Sequence, residues 1–330
     1  MNQKILIITD AYAPQVNGVV RTLDLTISEI QKLGDYTVRV IEPSQFKGFY
    51  FPFYRDVKFC TKIKKRLAQE INDFKPDFIH IAVEGPLGVS ARNFCVRNKL
   101  KFTTAYHTMF PEYVSGRFHI PLWMLYPYMR WFHRPAASIM VATDSLRKLL
   151  VKKGFKNKLV TWTRGVNTDL FRPRPVEPAV PYALFVGRVA DEKNVEAFLK
   201  AETTLQKVVV GEGPMLAYLK KKYPDVKFMG TLHGEELANV YAGASVFVFP
   251  SKTDTFGLVL IEALASGTPV AAYPIPSPID IIDPSVGSLN ADLSVAIKEA
   301  LTKSRTACAE FARNNYTWEI ATRQFLKNLN

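Results

Sequence analysis

The chain is poor in cysteine, in histidine and in acid, and it has no long apolar run. Its 330 residues include only three cysteines, Cys60, Cys95 and Cys308, an odd number and far apart. That excludes a disulfide framework and the paired spacing of a zinc site. The five histidines are His80, His107, His119, His133 and His233, and their spacing suggests no metal pair. No uninterrupted apolar run reaches about 18 residues, so no membrane-spanning helix is expected. The opening stretch MNQKILIITDAYAP turns polar too soon for a secretory signal, which makes a cytoplasmic protein the expectation. Acid is scarce against 43 Lys and Arg: 30 Asp and Glu leave a net charge of +13. The imbalance is one-sided. Residues 1–165 hold 26 Lys and Arg against 12 Asp and Glu, a net +14, and the remainder is −1. A basic field on one half calls for an anionic partner: nucleic acid, a membrane surface or an acidic substrate.

What is present is a large apolar fraction, 48%, with the length for two cores. Short β-branched runs alternate with helical patterns. In the first half they are KILIIT, YTVRVIE, DFIHIAV, KFTTAY, SIMVA and LVTWT; after residue 180 they are YALFVG, QKVVVG, VKFMG, SVFVFP and PVAAY. Strands alternating with helices imply parallel sheets covered on both faces. The fold class expected is therefore α/β, two Rossmann-like, doubly wound domains facing a cleft. The boundaries read from the pattern are an N-terminal domain over 1–171, a stiff linker with four prolines at 172–181, and a C-terminal domain over 182–310. Ligands of such sheets sit beyond the carboxyl ends of the strands.

Four strand ends carry candidate chemistry. After the first strand, Asn17 and Gly18 make a turn into a helix, where glycine allows close backbone approach and the helix N-terminus favours an anion. In YALFVGRVADEKN, Arg188 and Lys193 follow the strand, and two cations there suit a diphosphate. The bland alternative is a surface pairing of these cations with Asp191 and Glu192. KVVVGEGP offers Gly211 and Gly213 for close approach. SKTDTFGLVLIEALASGTPV holds Asp254 in a loop, then a helix expected from about Phe256, with first-turn amides around Gly257 and Leu258. That helix is apolar on all sides except for Glu262, and a buried carboxylate is costly unless something hydrogen-bonds to it. Carboxylates beside an anion site make sense together if hydroxyls donate to them, and a nucleotide sugar supplies both hydroxyls and phosphates.

These residues resemble the retaining glycosyltransferases of family 4, which have the GT-B fold. TDTFGLVLIEALASGTPVAAYP is similar to the family's E-x7-E segment, with Asp254 first and Glu262 second. GRVADEKN is similar to its Gly-Arg…Glu-Lys-Asn segment, PQVNGVVRT to its N-terminal glycine loop, and YHTMFPEY to its His-Thr pair at His107 and Thr108. RGVNTDLFRP is similar to the segment that closes the first domain. YTWEIATRQFL looks like the C-terminal helix that returns to the N-terminal domain, here over 311–330. The resemblance implies that Glu262 accepts from the ribose hydroxyls and that Asp254 holds a hydroxyl of the transferred sugar. It implies that Arg188 and Lys193 balance the diphosphate with the amides around Gly257 and Leu258. Gly18 would let the N-terminal loop approach the donor phosphates, and His107 would lie between sugar and acceptor. No metal or other cofactor is expected. Two features depart from the family pattern: Asp254 is one methylene shorter than the usual Glu, and the loop IPSPIDIID lacks a glycine.

Within the family, TDTFG and YHTMFPEYVSGRF look most like the branch that glycosylates membrane lipids, such as sulfoquinovosyl-diacylglycerol synthases and lipid mannosyl- or glucosyltransferases. The basic half agrees. Phe46, Phe49, Tyr50, Phe51, Phe53 and Tyr54 run beside Lys58, Lys62, Lys64, Lys65 and Arg66. Trp123, Tyr126, Tyr128, Trp131 and Phe132 are flanked by Arg117, Arg130 and Arg134. Aromatics suit the lipid–water boundary and cations suit anionic lipid. The expectation is a peripheral enzyme at the inner face of the membrane, taking a nucleotide sugar and a diacylglycerol-type acceptor. The rival readings are a soluble-sugar or lipopolysaccharide-core acceptor, an ordinary aromatic core, and a basic nucleic-acid-binding protein. The last has no recognised motif and leaves Asp254 and Glu262 unexplained, so no nucleic acid is expected.

Overall fold

A computed structural model describes residues 2–12, 15, 17–51, 54–252, 254 and 256–330, without the side chains at 50–51, 54–57, 59, 113 and 117–118. Phe53 and the side chains of Tyr50, Phe51, Tyr54 and Arg117 therefore lie outside the described residues. The chain divides into two compact units, Met1–Thr163 with Ala321–Asn330, and Arg164–Ile320. The proline-rich stretch lies in the second unit and is irregular. Arg174 anchors it, donating to Leu170 O at 2.7 Å, to Asn239 at 3.1 Å and to Glu235.

The first unit runs β1 (Gln3–Ile8), α1 (Gly18–Leu33), β2 (Tyr36–Ile41), β3 (Gly48–Phe51), β4 (Tyr54–Cys60), α2 (Ile63–Phe74), β5 (Phe78–Ile81) and α3 (Pro86–Arg97). It continues with β6 (Thr103–Tyr106), α4 (Phe110–Phe118), α5 (Leu122–His133), β7 (Ser138–Val141), α6 (Asp144–Lys152) and β8 (Lys158–Thr161). Its parallel sheet has the order β2-β1-β5-β6-β7-β8, and all six strands read from the sequence are in it. The sheet is buried on both faces, which is why β1 shows an unbroken apolar run. Leu6 and Ile8 pack into one cluster with Leu67, Leu87 and Phe132; Ile5 and Ile7 pack into the other with Leu23, Ile27, Trp162 and Phe325. β3 and β4 form an antiparallel hairpin that the strand pattern did not mark.

The second unit runs β9 (Tyr182–Val186), α7 (Val195–Lys200), β10 (Gln206–Val210), α8 (Leu216–Lys222), β11 (Lys227–Phe228), α9 (Gly234–Gly243) and β12 (Val246–Phe249). It ends with α10 (Leu258–Ala265), β13 (Val270–Ala272), α11 (Pro276–Ile281), β14 (Gly287–Leu289), α12 (Leu293–Ala300) and α13 (Arg305–Asn315). The parallel order is β11-β10-β9-β12-β13-β14. The five expected strands are joined by β14, an edge strand of three residues too short to carry a pattern. The last helix, α14 (Trp318–Leu329), starts in the second unit and ends in the first, where Phe325 and Leu329 are buried against Trp162.

Candidate functional site

In the second sheet the chain winds outward from β9 through β10 to β11, then resumes at β12 on the other side of β9 and winds to β14. The switch point therefore lies between β9 and β12, and open α/β sheets bind ligands beyond the strand ends at such a point. The two loops leaving these strands are those that carry Arg188, Lys193 and Asp254.

Three bonds stitch the loops together. Lys193 Nζ lies 2.6 Å from Asp254 Oδ1, with the two side chains 28% and 20% exposed. Asn194 Nδ2 donates to Pro250 O at 3.1 Å, and Ser251 Oγ donates to Glu192 O at 3.4 Å. Lys193 closes a 3-10 turn (Asp191–Lys193), and Asn194 then takes a left-handed backbone, φ 51°, to start α7. Arg188 stands apart. Its side chain is 63% exposed, and it pairs with Glu192 at 3.6 Å. The surface pair thus exists, but a pair so long and so exposed contributes little.

Gly211 and Gly213 have a different neighbour from the one expected. A methyl group at Gly211 would overlap the Gly187 carbonyl oxygen, and one at Gly213 would overlap that of Val189. The space they leave is filled by the Arg188-bearing loop, which they allow to sit directly against β10's end.

α10 begins at Leu258, two residues later than expected, because Gly257 caps it in a left-handed conformation, φ 78°. The first-turn amides are those of Leu258, Val259 and Leu260, and Leu260 N already bonds to Gly257 O at 2.9 Å. Ser277 Oγ holds the Phe256 carbonyl just ahead of the turn. Glu262 is the fifth residue of the helix and only 3% exposed. One of its partners is protein: Tyr241 Oη donates to Oε2 at 3.1 Å. Tyr241 is fully buried and is held by ring contacts to Phe171 and Phe247. Sequence reasoning missed Tyr241, Asn194 and Ser251, since each bonds to a neighbour from a distant loop or helix.

Gly18 and His107 belong to the first unit. Gly18 is the first residue of α1, and a Cβ there would meet nothing within 4 Å. Asn17 Oδ1 accepts from the amides of Val19 and Val20, both at 3.0 Å, so those two donors are already used. His107 follows β6, is 8% exposed, and packs edge-on to Trp162 with ring centroids 5.5 Å apart. The first sheet's own switch point lies between β1 and β5. There Asp10, also missed, accepts from Leu87 N at 2.8 Å and Gly88 N at 2.9 Å, capping α3. Burial pushes its carboxyl up to about 6 against the lowering effect of those amides, and Glu84 adds to the rise.

Two family models match. That described as "Glycosyltransferase Family 4" covers residues 16–170, and that described as "Glycosyl transferases group 1" covers residues 180–304. The chain belongs to glycosyltransferase family 4. Among its relatives, a sulfoquinovosyl transferase of Arabidopsis thaliana is 30% identical over 292 residues, 78% of this chain and 56% of that protein. The chain thus spans just over half the length of that relative. A GDP-mannose-dependent alpha-mannosyltransferase of Corynebacterium glutamicum is 28% identical over 98% of this chain and 88% of its own. An alpha-monoglucosyldiacylglycerol synthase of Streptococcus pneumoniae is 26% identical over 99% and 84%. The solved structure of a sucrose-phosphate synthase from Thermosynechococcus elongatus superposes with a TM-score of 0.76 at 19% identity, covering 99% of this chain and 98% of that one. At that identity the likeness shows the fold, two doubly wound parallel units as in GT-B, and the family 4 sequence matches carry the rest.

Proposed function

We propose that this family 4 member moves a hexose from a nucleotide-diphosphate sugar to an acceptor hydroxyl with retention of anomeric configuration. The acceptor is a diacylglycerol-type lipid at the inner membrane face. The observation that carries the reading is the Lys193–Asp254 pair beside the start of α10 at the second sheet's switch point. An ammonium has three N–H donors, so Lys193 keeps Asp254 and still donates to a phosphate oxygen. Arg188, exposed and only loosely paired, adds a bidentate donor, and the amides of Leu258 and Val259 add two more at a positive helix end. Negative charge that builds on the leaving diphosphate meets preorganised donors, the largest single contribution in most transfer reactions. With that charge matched by protein, the proposal calls for no metal ion.

Asp254 then holds a sugar hydroxyl while Lys193 fixes its carboxylate, and Glu262, oriented by Tyr241, accepts from the ribose. His107, in the first unit, is assigned to the acceptor side. The lipid acceptor draws support from the diacylglycerol named for the Streptococcus relative and from α5, which leaves Trp123 75% and Met124 53% exposed on the basic half of the chain. Tyr126 and Phe132 of the same helix are buried, so only part of the aromatic cluster is surface.

Glu262→Ala tests the reading. Transfer from a nucleotide-sugar donor is expected to fall by about 10²-fold or more, with raised donor KM, as for loss of a buried hydrogen-bonded anchor to substrate. Near-normal transfer contradicts the role. Glu262→Gln, which keeps the shape, guards against misfolding as the cause.

A further inference from the structure

Between α2 and α3 the first unit has a hollow of about 110 Å³ that takes no part in the reaction derived above. Lys64, Leu67, Ser90, Asn93, Phe94 and Arg97 line it. The spacing explains the lining: Ser90, Asn93 and Arg97 recur on one face of α3, and Lys64 and Leu67 do so on α2.

Its chemistry is one-sided. Among the described residues no ion pair joins Lys64 or Arg97 to a carboxylate, though both stand at the same hollow. Asn93 Oδ1 is taken by Arg92 Nη1 at 2.9 Å, which turns the amide so that its NH₂ is the free end. Ser90 Oγ donates to Pro86 O at 2.9 Å. The hollow thus offers an ammonium, a guanidinium and an amide NH₂, with no acid in its lining. Its floor is Leu67, 1% exposed, with Phe94. Donors over an apolar floor suit a phosphate that carries an alkyl ester. The surroundings suggest where that phosphate comes from. The Arg92 that orients Asn93 also lies 4.0 Å over the ring of Trp131, which is 43% exposed on α5, the helix that exposes Trp123.

We propose that this hollow is a binding site for the phosphate of an anionic phospholipid headgroup, separate from the donor site. The proposal rests on the membrane reading above. It goes further in placing lipid recognition at a specific pocket instead of a diffuse basic surface. Diffuse attraction depends on the number of charges, whereas a site depends on where they are.

The experiment compares the full chain with Lys64→Gln/Arg97→Gln and with Lys152→Gln/Lys156→Gln, which removes the same charge from exposed positions of the same unit. Each is sedimented with vesicles of phosphatidylglycerol in phosphatidylcholine and titrated with sn-glycerol 3-phosphate, followed by phosphorus NMR. Thermal melts confirm that the surface variants fold. The expected result is partition to vesicles at least about tenfold weaker for the first pair and less than about twofold weaker for the second, with glycerol phosphate binding lost only in the first. If both pairs weaken partition equally, binding is diffuse and the hollow is not the site. If the Lys64/Arg97 variant still partitions like wild type, the proposal fails while the membrane reading stands. If wild type ignores the vesicles but binds glycerol phosphate at the hollow, the lipid source and the membrane reading fall together.

Discussion

Lys193 and Asp254 show how much a single side chain at the second sheet's switch point has to do. Each lies 61 positions from the other in sequence, and they meet at 2.6 Å only because β9 and β12 are neighbours. Under the proposed role, removing the cation takes away a donor to the diphosphate, and it leaves Asp254, 20% exposed, without its counter-charge. Lys193→Ala is therefore expected to lower kcat by about 10²–10³-fold, the usual loss for one preorganised donor to developing charge. Steady-state kinetics with saturating donor checks this; a pure KM effect would remove Lys193 from the charge-stabilising set. Asp10 is a residue-scale matter of stability. Its carboxyl rises from 3.8 to about 6 on folding. The folded state then binds more protons than the unfolded one between those values, so this group's contribution is greatest below about pH 4 and declines as pH climbs through 6. Urea midpoints of wild type and Asp10→Asn between pH 4 and 6.5 should differ in slope, with the downward trend reduced in the variant. Parallel slopes would mean that Asp10 is not the titrating group. Asp10 was invisible in the sequence because an aspartate after a strand usually faces water; here α3's amides receive it.

At the scale of elements, the loops that bear the site are shaped by their neighbours. Gly211 has φ 131° and abuts the Gly187 carbonyl, so it serves the packing of two strand ends. Gly211→Ala brings both a backbone conformation that alanine rarely adopts and an overlap with main chain that cannot rotate away. A loss of about 1–3 kcal/mol is expected from such strain. Because Gly187 immediately precedes Arg188, transfer should fall more than stability alone accounts for. Denaturant unfolding and kcat/KM on the folded variant separate the two, and unchanged kinetics would show the loop to be indifferent to its support. The pattern of alternating apolar runs marked eleven of these strands, since a parallel strand buried on both faces reads as a continuous hydrophobic segment. It missed β14, three residues at an edge, and the β3–β4 hairpin, whose sequence mixes aromatics and charges without a continuous apolar run. The start of α10 was misplaced by two residues because Gly257, not the apolar run, sets the cap.

For the whole molecule, charge and exposed aromatics are the terms that matter. The net +14 of residues 1–165 acts over distances beyond any one contact, and salt screens it; Trp123 and Met124 act only on touching an apolar phase. Under the membrane reading the two terms should separate. Partition to anionic vesicles is expected to weaken about tenfold or more on raising salt from 0.1 to 0.5 M, and Trp123→Glu should weaken what remains at high salt. Sedimentation with anionic and neutral vesicles measures both. Equal binding to neutral vesicles at all salt concentrations would refute the electrostatic part.

The sequence by itself determined the α/β class, most strands, the one-sided charge and the family, because these depend on local pattern and on motifs that are contiguous in the chain. Only the tertiary structure decided which protein groups attend the motif residues: Tyr241 on Glu262, Asp254 on Lys193, Gly187 against Gly211, Asp10 on the first turn of α3. Each of these pairs joins residues from different elements, Tyr241 on α9 with Glu262 on α10 and Asp10 after β1 with the first turn of α3 among them. Strand order, a property of the folded sheet and not of neighbouring residues in the chain, brings them within reach.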